Sequence, residues 1–497
     1  MNTKAFSEFE EHFKLRSASP SAPYRSFVAT DEDLFLLPWV QQGTNGQTII
    51  HPQVLSQYLK QRKTLLNVSC GENGQPELYL YEQGVYRLLS YVAAVDFIKK
   101  FLPPTFRRTS HWQAVYNELT TDYPDLHDHD LNANRDVVNF QNGLLHLPSS
   151  ELRPHSPDVL STMQIACDYI PEKADPAYAP VFMSFLRRLV NEDAELVSLM
   201  LEIIGLIIGN IPAYLYKRML ILYGKGNTGK TVMRELVMRI IGKENCHSID
   251  LKTLNGRFGV SQIYGKRLIG SGDMSFSAIS EIDKVKELTG GDDLNAERKG
   301  KDGFSFRFPG FVWMNANALP KFGGDQGTHV YERLLVVPCL NVVSAEERNP
   351  NLSELLFAER ESIVALALRY LKNTITIDPA SGKKQYLFTE GEVIQNQRIE
   401  YARDNSSLMT FVSEYCEVDE KARMRCSEFN LAYQRFCQDQ RLKAEKTKNI
   451  SDIMLDGLGI ERIRSNGNNC YPLRIRQDPN DQLLGLRRLL PPYPFDV

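Results

Sequence analysis

The sequence contains no pair of cysteines spaced as C-x-x-C, the spacing on which zinc ribbons and many redox sites depend. Eight cysteines occur in 497 residues, at positions 70, 167, 246, 339, 416, 426, 437 and 470. No histidines suited to completing a metal site lie near Cys426 and Cys437. This scatter argues against a zinc ribbon and a disulfide framework, and it predicts reduced thiols that are mostly buried.

A predominance of one charge is also lacking. The formal net charge is -3, with 42% hydrophobic and 24% charged residues, which is typical of a soluble globular protein. A length of 497 residues suggests about three domains. Because the overall charge does not favour a nucleic-acid partner, such a partner has to be inferred from local basic patches.

Long apolar segments are absent as well. The first residues, MNTKAFSEFEEHFKLR, lack the apolar region of a signal peptide, and no uncharged stretch reaches the roughly 20 residues that span a bilayer. The longest apolar run, Leu196 to Ile208, is interrupted by Glu202 and predicts a core helix. We therefore expect a cytoplasmic protein without a membrane partner.

The segment Ile221 to Val232, ILYGKGNTGKTV, predicts a strand, a glycine-rich loop and a helix. It satisfies G-x-x-x-x-G-K-[ST], the phosphate-binding loop, whose backbone amides hold phosphate oxygens at a helix N-terminus. Lys230 is expected to reach the β- and γ-phosphates of a triphosphate, and Thr231 to bind Mg²⁺. The predicted nucleotide-binding residues are Gly224, Gly226, Asn227, Thr228, Gly229, Lys230 and Thr231. The alternative is a glycine-rich turn that matches by chance.

Polar residues border three apolar strands downstream, where a parallel sheet presents ligands to a nucleotide. Asp273 can hold Mg²⁺ through water, although an aspartate after a strand is also a common turn or cap residue. Asn315 and Asn317 can hydrogen-bond the γ-phosphate or orient the attacking water, and asparagine also forms turns. Arg333 can stabilise charge on the transferring phosphate, or form a surface ion pair with Glu332.

A basic turn, within DDLNAERKGKDGFSFR, lies between two strand-like runs. A hairpin tip of this composition can grip the backbone of single-stranded DNA and stack an aromatic ring on a base. The candidate DNA-binding residues are Arg298, Lys299, Lys301 and Phe304. An exposed, soluble turn explains the same residues equally well.

Strands and helices alternate from residue 218 to about residue 340, as a parallel sheet flanked by helices requires, so the expected fold class is α/β. Upstream, Val137 to Leu147 predicts a hairpin with an Asn-Gly turn. Two helices follow, at about Val181 to Val190 and Ala194 to Gly209, and their apolar spacing favours a purely structural role.

The C-terminal part predicts three helices and then two strands around SNGNN, an order that fits a winged helix. Residues 441–476 contain eight Lys or Arg against four Asp or Glu. Lys446, Lys448 and Arg464 are candidates for duplex phosphate contacts, which position DNA without reading its sequence. Winged helices also bind proteins, which is the alternative role.

Five motifs occur in a recognisable order: GKGNTGKT, GDMS, KELTGGDDLNAERK, NANALPKF and YERLLVVP. This set resembles the superfamily 3 helicases, in particular the poxvirus-type NTPase and phage/plasmid primase-helicase group, which includes proteins of mobile genetic islands. VVNFQNGLLHL resembles the segment that opens the conserved N-terminal helicase-associated domain of that group. The resemblance covers about residues 75 to 475.

The resemblance implies an AAA+-like P-loop ATPase core, an α+β N-terminal helicase-associated domain and a C-terminal winged-helix domain. It also implies an ATP- and Mg²⁺-dependent helicase, usually hexameric, that unwinds duplex DNA during replication of a phage, plasmid or other mobile element in a bacterial cytoplasm. The expected divisions are a flexible arm at 1–34, the associated domain at 35–210, the ATPase at 211–375, the winged helix at 389–478 and a tail at 479–497.

The motif match assigns Walker A, Walker B, sensor and arginine-finger roles to Lys230 with Thr231, Asp273, Asn317 and Arg333. It places the basic turn at a hairpin in the channel of the ring. Two departures stand out. Met274 and Ser275 follow Asp273 where many relatives carry a glutamate, so Glu281 is the remaining candidate for activating water. Glu332 occupies the position of a second finger arginine.

The first 130 residues show neither zinc-ribbon cysteines nor an acidic polymerase motif. A separate primase or other replication protein is therefore an expected partner, besides single-stranded and duplex DNA and further copies of the chain. The alternatives are a nucleotide-switched initiator that melts an origin without processive unwinding, and a P-loop kinase or remodeller of proteins.

Overall fold

The structure is a computed structural model that describes residues 3–13, 27–62, 65–69, 76–121, 126–272, 282–297, 303–317, 319, 328–439 and 444–476. Its first region combines helices with a two-stranded and a four-stranded sheet. The helices are α1 (Thr3–His12), α2 (Pro52–Gln61), α3 (Tyr91–Lys100) and α4 (Thr109–Thr121). The strands are β1 (Val40–Gln42), β2 (Thr48–Ile50), β3 (Leu65–Ser69), β4 (Glu77–Glu82), β5 (Val85–Leu88) and β6 (Leu126–His127).

An aromatic cluster holds the N-terminal helix in place. Phe9 of α1 is buried and packs edge-on against Trp39 and Tyr58. The indole Nε1 of Trp39 donates to the carbonyl of Phe101 at 2.9 Å. Burial of such rings stabilises docking, so residues 3–13 are packed rather than free, which corrects the prediction of a flexible arm for this part of residues 1–34.

A second region leads from this sheet to the central one. It consists of the three-stranded sheet β7 (Val137–Phe140), β8 (Gly143–His146) and β9 (Glu151–Arg153), and of helices α5 (Pro180–Leu189) and α6 (Ala194–Ile208). The predicted hairpin is confirmed, but Gly143 already belongs to β8 and the turn is Gln141–Asn142. The predicted helices are confirmed within two residues at each end. Asp193 caps α6 by accepting from the amide of Leu196 at 2.9 Å.

The centre of the molecule is a parallel sheet of five strands with helices around it. The strands are β10 (Met219–Tyr223), β11 (Cys246–Ser248), β12 (Leu268–Gly270), β15 (Phe311–Ala316) and β16 (Leu334–Pro338), and an antiparallel hairpin of β13 (Asp293–Ala296) and β14 (Phe304–Arg307) precedes β15. The helices are α7 (Lys230–Ile241), α8 (Leu251–Leu254), α9 (Ile282–Gly290), α10 (Leu352–Ala358) and α11 (Arg360–Asn373).

The strand order β11-β12-β15-β10-β16 places β10 between β15 and β16. The chain leaves β10 towards one side of the sheet and later returns to its other side as β16. Loops at the carboxyl ends of the strands diverge at such a reversal and leave a crevice for a ligand. The parallel α/β arrangement predicted from the sequence is therefore confirmed, and the glycine-rich loop follows β10 at this reversal of strand order.

Each face of the sheet contributes to a different hydrophobic core. Leu220 and Leu222 of β10 face the core that contains α5, α6, α7 and α11. Ile221 faces the opposite core, which includes α9, the β13–β14 hairpin and the C-terminal region. Alternation along one buried strand therefore joins the helices before the sheet and the domain after it to the same central element.

A buried arginine fastens α6 to the sheet. The guanidinium of Arg267 donates to the carbonyls of Leu206, Ile207 and Ile211 at the end of α6 and of Pro309 before β15. Burial lowers the pKa of this guanidinium to about 10. Carbonyls at a helix C-terminus carry negative partial charge, so they can satisfy an arginine that forms no ion pair with a carboxylate among the described residues.

The C-terminal region follows a short β17–β18 hairpin (Ile375–Ile377 and Lys384–Tyr386) and helix α12 (Glu392–Asn405). It contains α13 (Ser407–Tyr415), α14 (Cys426–Asp439) and α15 (Thr447–Asp452), with strands β19 (Cys416–Val418), β20 (Met424–Arg425), β21 (Ile463–Ser465), β22 (Asn468–Tyr471) and β23 (Leu473–Ile475). Asn466 and Gly467 form the tight turn between β21 and β22 at φ +48° and +79°. The predicted order of three helices and a hairpin is present.

Of the cysteines, seven lie in the described residues as free thiols, and all of these except the half-buried Cys426 are buried. This confirms the prediction of mostly buried, reduced thiols for that part of the chain. No helix among the described residues is both long and apolar enough to cross a lipid bilayer.

Candidate nucleotide site

The backbone between β10 and α7 adopts conformations that favour glycine. Gly224 has φ +148°, and a Cβ there would lie 2.1 Å from the carbonyl oxygen of Cys339. Gly229 has φ +96°, and its Cβ would lie 2.8 Å from the ring of Phe185. Asn227 has φ +64°, a region that asparagine tolerates. The loop therefore turns back over the end of β10. Side chains at positions 224 and 229 would prevent this backbone conformation.

Lys230 and Thr231 are the first two residues of α7, where the helix dipole favours an anion. The Lys230 side chain is buried, and its Nζ donates to the carbonyl oxygens of Gly224 at 2.7 Å and Lys225 at 2.8 Å. The ammonium group thus lies inside the curve of the loop. It can exchange carbonyl acceptors for phosphate oxygens without leaving that position. Thr231 is exposed at the mouth of the loop.

The chain after β16 forms one wall of the loop. The amide of Cys339 donates to Tyr223 at 2.7 Å, and the amide of Val343 donates to Asn227 at 2.9 Å. Burial raises the pKa of the Cys339 thiol to about 12, so this neighbour of the loop is an uncharged packing residue and not a nucleophile. Leu340 and Val342 are exposed beside it and offer an apolar surface next to the loop.

The two asparagines at the end of β15 occupy different environments. Asn315 was expected at the strand end, but it lies within β15, is fully buried and accepts from the indole Nε1 of Trp313 at 3.0 Å. Asn317 follows the strand and is exposed at the carboxyl edge. Asn317 is therefore the one of the two that can meet a ligand directly, and its role as a sensor stays a prediction.

A group of polar atoms lies between α7 and the sheet, and we call it the sub-helix cluster: Arg234, Ser248, Gly270, Trp313 and Asn315. Ser248 is the exposed member of this group, and the other four residues are buried. Arg234 donates to the carbonyl of Gly270 at 2.8 Å and to the hydroxyl of Ser248 at 3.4 Å. Burial lowers its pKa. Arg234 is not among the residues predicted from the sequence, although its position four residues after Lys230 places both on one face of α7.

Arg333 lies at the end of a 3-10 helix immediately before β16. Its Nη1 donates to the Thr289 hydroxyl at 2.8 Å and to the Lys286 carbonyl at 3.5 Å, both in the last turns of α9. The described contacts of Arg333 do not include an ion pair with Glu332, which was the alternative role. Its role as an arginine finger remains a prediction.

Several predicted site residues lie outside the described part of the chain. These are Asp273, Glu281, Arg298, Lys299 and Lys301. The strands on either side of the basic turn are described, and they pair from Asp293 with Arg307 to Ala296 with Phe304. The structure thus supplies the predicted hairpin and leaves the roles of its tip residues as predictions.

Phe304 requires a correction. Its ring is only 9% exposed and packs edge-on against Tyr264 at 5.1 Å, beside the stacked ring of Phe306. A ring held in this way anchors the stem of the hairpin and is not presented to a base. No local sequence pattern indicates this contact, because Tyr264 lies 40 residues earlier in the chain.

The basic residues predicted in the C-terminal region are exposed. Lys446 and Lys448 lie at the start of α15, and Arg464 lies on β21 next to the Asn466–Gly467 turn. Their exposure is compatible with phosphate contacts. The structure does not bring them into contact with the loop after β10, so they form a separate candidate surface.

The residues around the loop fit a magnesium nucleotide. The buried ammonium of Lys230 and the N-terminus of α7 suit a chain of phosphates. The Thr231 hydroxyl is a hard oxygen donor of the kind that Mg²⁺ binds. ATP and Mg²⁺ therefore remain the predicted cofactors.

Two family comparisons match separate parts of the chain. Residues 79–191 match the family described as D5 N terminal like, and residues 222–333 match a family of unknown function, DUF5906. The second match begins in β10, spans the glycine-rich loop and ends at Arg333.

Solved structures give a weaker likeness. An apo structure of the C-terminal region of NrS-1 is 13% identical, covers 86% of this chain and 100% of its own, and has a TM-score of 0.42. An apo structure of NrS-1 residues 305–718 is 12% identical, covers 85% and 99%, and also has a TM-score of 0.42. Similarity at this level does not bear on the arrangement or the function of the chain.

The match to the D5 N-terminal region supports the broader part of the resemblance, which is to replication proteins of the primase-helicase type. It falls within residues 35–210, which were assigned to the helicase-associated domain. The family match around the loop carries no function in its description.

Proposed function

We propose that the chain is an ATP-dependent DNA helicase of superfamily 3 with an AAA+-like core, which unwinds duplex DNA during replication of a phage, plasmid or other mobile element. The observation that carries this proposal is the loop at the carboxyl edge of the parallel sheet. Its backbone excludes side chains at Gly224 and Gly229, and its interior holds the buried ammonium of Lys230.

The proposed chemistry divides the work among the residues at this edge. Lys230 and the α7 N-terminus bind and orient the phosphates, and Thr231 with Asp273 would hold Mg²⁺, which neutralises charge on the transferring phosphate. Asn317 would orient the attacking water. These assignments are supported by the position of Lys230, Thr231 and Asn317 around one loop, and for Asp273 by the sequence alone.

DNA would be gripped by the hairpin that follows α9. Its stem is rooted in the core through Phe304 and Phe306 against Tyr264, so a movement of the core would be transmitted to the tip. Arg298, Lys299 and Lys301 at that tip would contact phosphates of a single strand. Lys446, Lys448 and Arg464 would contact the duplex.

A ring of subunits, with six as the expected number, would complete each nucleotide site. Arg333 would reach the nucleotide of a neighbour and stabilise charge there, as an arginine finger does. Closure of each interface on ATP and its release after hydrolysis would then move the hairpins along the strand.

Steady-state ATP hydrolysis tests the enzymatic part of the proposal. Lys230→Ala should abolish turnover, whereas Lys243→Ala, an exposed lysine just after the same helix, should leave it unchanged. Hydrolysis that persists in Lys230→Ala would contradict the proposed site. A strand-displacement assay with the wild-type protein then tests unwinding.

A nucleotide-switched initiator that melts an origin is the second candidate. It is favoured by one sequence feature, since Met274 and Ser275 follow Asp273 where a water-activating glutamate is expected. This candidate predicts that ATP binding and assembly on duplex DNA persist while turnover stays too slow to support strand displacement.

A further inference from the structure

Arg333 lies at the opposite edge of the central sheet from the glycine-rich loop. β16 runs parallel to β10, with Leu334 opposite Met219 at the start and Pro338 opposite Tyr223 at the end. The loop follows Tyr223, whereas Arg333 precedes Leu334. Four steps of about 3.3 Å separate the two ends of the strand, which displaces Arg333 by roughly 13 Å along the strand direction. Arg333 is therefore remote from the nucleotide site of its own chain.

The guanidinium of Arg333 is held by the last turns of α9. Its Nη1 donates to the hydroxyl of Thr289 at 2.8 Å and to the carbonyl of Lys286 at 3.5 Å. A helix C-terminus carries negative partial charge, so it is a favourable place for a cation. The shorter contact is the one to Thr289, and a charge-assisted hydrogen bond of this length fixes the direction of the guanidinium as well as its place.

The hydroxyl of Thr289 is oriented as this contact requires. It donates to the carbonyl of Val285, one turn earlier on α9, at 2.6 Å. A hydroxyl carries one proton, so an oxygen whose proton is directed to Val285 can only accept from Arg333. Thr289 is 3% exposed, which limits the competition of water for the same oxygen. One buried hydroxyl thus joins Arg333 to the backbone of α9.

The end of α9 is a rigid support for this contact. Gly291 follows the helix with φ +76°, and a Cβ there would lie 2.8 Å from the ring of Tyr214. The amide of Asp292 donates back to the carbonyl of Glu287 at 3.3 Å, which closes the last turn. β13 begins at the next residue, Asp293. Arg333 is therefore held at the junction between α9 and the β13–β14 hairpin.

We propose that Thr289 is a positioning residue for Arg333, whose guanidinium it holds at the end of α9 in the place from which it meets the nucleotide of the neighbouring subunit. The inference rests on the proposed arginine-finger role of Arg333. Because Thr289 is buried, it acts on that nucleotide only through Arg333. Without the hydroxyl, the long arginine side chain would adopt other rotamers, and catalysis is sensitive to displacements of about 1 Å.

Mixed rings test the inference, because they separate the subunit that binds the nucleotide from the subunit that supplies the arginine. Lys230→Ala subunits keep the arginine but lack the loop lysine, and Arg333→Ala subunits keep the loop but lack the arginine. Neither should turn over ATP alone, and an equal mixture should regain part of the turnover at interfaces that combine the two intact halves. Thr289→Val, which removes the hydroxyl and keeps the branched shape, is then added to one subunit or the other.

Thr289→Val in the Lys230→Ala subunit should lower the turnover of the mixture by about tenfold, because the misplaced arginine is the one in use. The same substitution in the Arg333→Ala subunit should leave the turnover of the mixture unchanged, because that subunit contributes no arginine. Thr289→Ser in the Lys230→Ala subunit keeps the hydroxyl and should retain most of the turnover.

Thr120→Val in the Lys230→Ala subunit is the matched control. The hydroxyl of Thr120 also donates to a carbonyl one turn earlier on its helix, that of Tyr116, at 2.9 Å. This variant therefore loses the same kind of bond within a helix, in α4 instead of α9. The turnover of the mixture should stay that of the parent mixture.

Two results would overturn the inference. One is an equal loss of turnover whichever subunit carries Thr289→Val, which would show a general effect on folding or assembly. The other is full turnover with the substitution in the Lys230→Ala subunit. If Thr289→Val does not fold, as judged by its thermal midpoint, Thr289→Ala also lacks the hydroxyl and replaces it with the same expectations. A parent mixture that regains no turnover would contradict the arginine-finger role of Arg333 itself, and the inference with it.

Discussion

Gly224 shows how strongly one residue can be constrained by the backbone. Its φ of +148° and the position of the Cys339 carbonyl leave no room for a Cβ, whereas a Cβ at Gly226 would meet nothing within 4 Å. We expect Gly224→Ala to lower the free energy of unfolding by about 3 kcal/mol, and Gly226→Ala by less than about 1 kcal/mol. Urea unfolding without nucleotide measures both. Equal values would contradict the strained geometry of the loop.

Glu390 is a second residue whose role follows from its surroundings. Burial raises the pKa of its carboxyl, but hydrogen bonds from Arg218 and Arg398 outweigh burial and lower the pKa overall. Because the folded state holds this proton less tightly than the unfolded state, the resulting stability is present above the unfolded pKa of about 4.3. It is lost as the pH falls through the folded pKa.

Glu390→Gln should therefore lower the free energy of unfolding by about 2–4 kcal/mol at pH 7, because two half-buried arginines lose a charged partner. The difference from the wild type should shrink as the pH is lowered from 5 towards 3. Glu354→Gln, which removes an exposed partner of Arg239, should change the free energy of unfolding much less, because solvent screens this ion pair. A pH-independent difference for Glu390→Gln would contradict the assignment.

At the scale of the element, the sequence predicts structure well where local signals agree. The strand and helix around the glycine-rich loop, the β7–β8 hairpin and the helices α5 and α6 lie where apolar periodicity and turn residues place them. The same signals locate Lys230 and Thr231 at the start of a helix. Local chemistry determines these features, so one sequence is enough to find them.

Features that depend on distant contacts could not be predicted. Phe304 is buried because Tyr264 lies beside it, and Arg267 is satisfied by carbonyls of α6 about 60 residues earlier. Asn315 belongs to β15 because that strand is two residues longer than its apolar run indicates. In each case the tertiary neighbour is decisive, and single-sequence patterns do not contain it.

The correction to Phe304 makes a prediction for the hairpin. If its ring anchors the stem, Phe304→Leu should retain affinity for single-stranded DNA within about twofold, since an apolar side chain of similar volume still packs against Tyr264. Phe304→Ala should lower the thermal midpoint instead, because it leaves a cavity. Fluorescence anisotropy and thermal unfolding distinguish these outcomes. A large loss of DNA affinity in Phe304→Leu at unchanged stability would restore the base-stacking role.

On the scale of the whole molecule, one sheet connects regions that are far apart in sequence. Tyr223, the residue before the glycine-rich loop, donates through its hydroxyl to Gln397 of α12 at 2.8 Å. Glu202, in the middle of α6, accepts hydrogen bonds from the hydroxyl and the amide of Thr389, a residue just before α12. The C-terminal region is thus joined to the nucleotide edge by side chains as well as by the chain itself.

The C-terminal surface offers a prediction about duplex DNA. Lys446→Ala combined with Lys448→Ala should weaken duplex binding similarly for different DNA sequences and reduce the slope of log affinity against log salt by about 2, since each phosphate contact contributes about 0.9. Filter binding at several salt concentrations measures the slope. A slope identical to the wild type would remove these residues from the DNA surface.

The proposed helicase activity depends on coupling between the nucleotide loop and single-stranded DNA. The most direct test is steady-state ATP hydrolysis with and without single-stranded DNA at one salt concentration, in the wild type and in the double variant Lys299→Ala/Lys301→Ala. We predict that DNA raises wild-type turnover and that the double variant keeps its basal turnover but loses the stimulation. Wild-type turnover that DNA does not change would contradict the helicase and leave a nucleotide-driven assembly switch in its place.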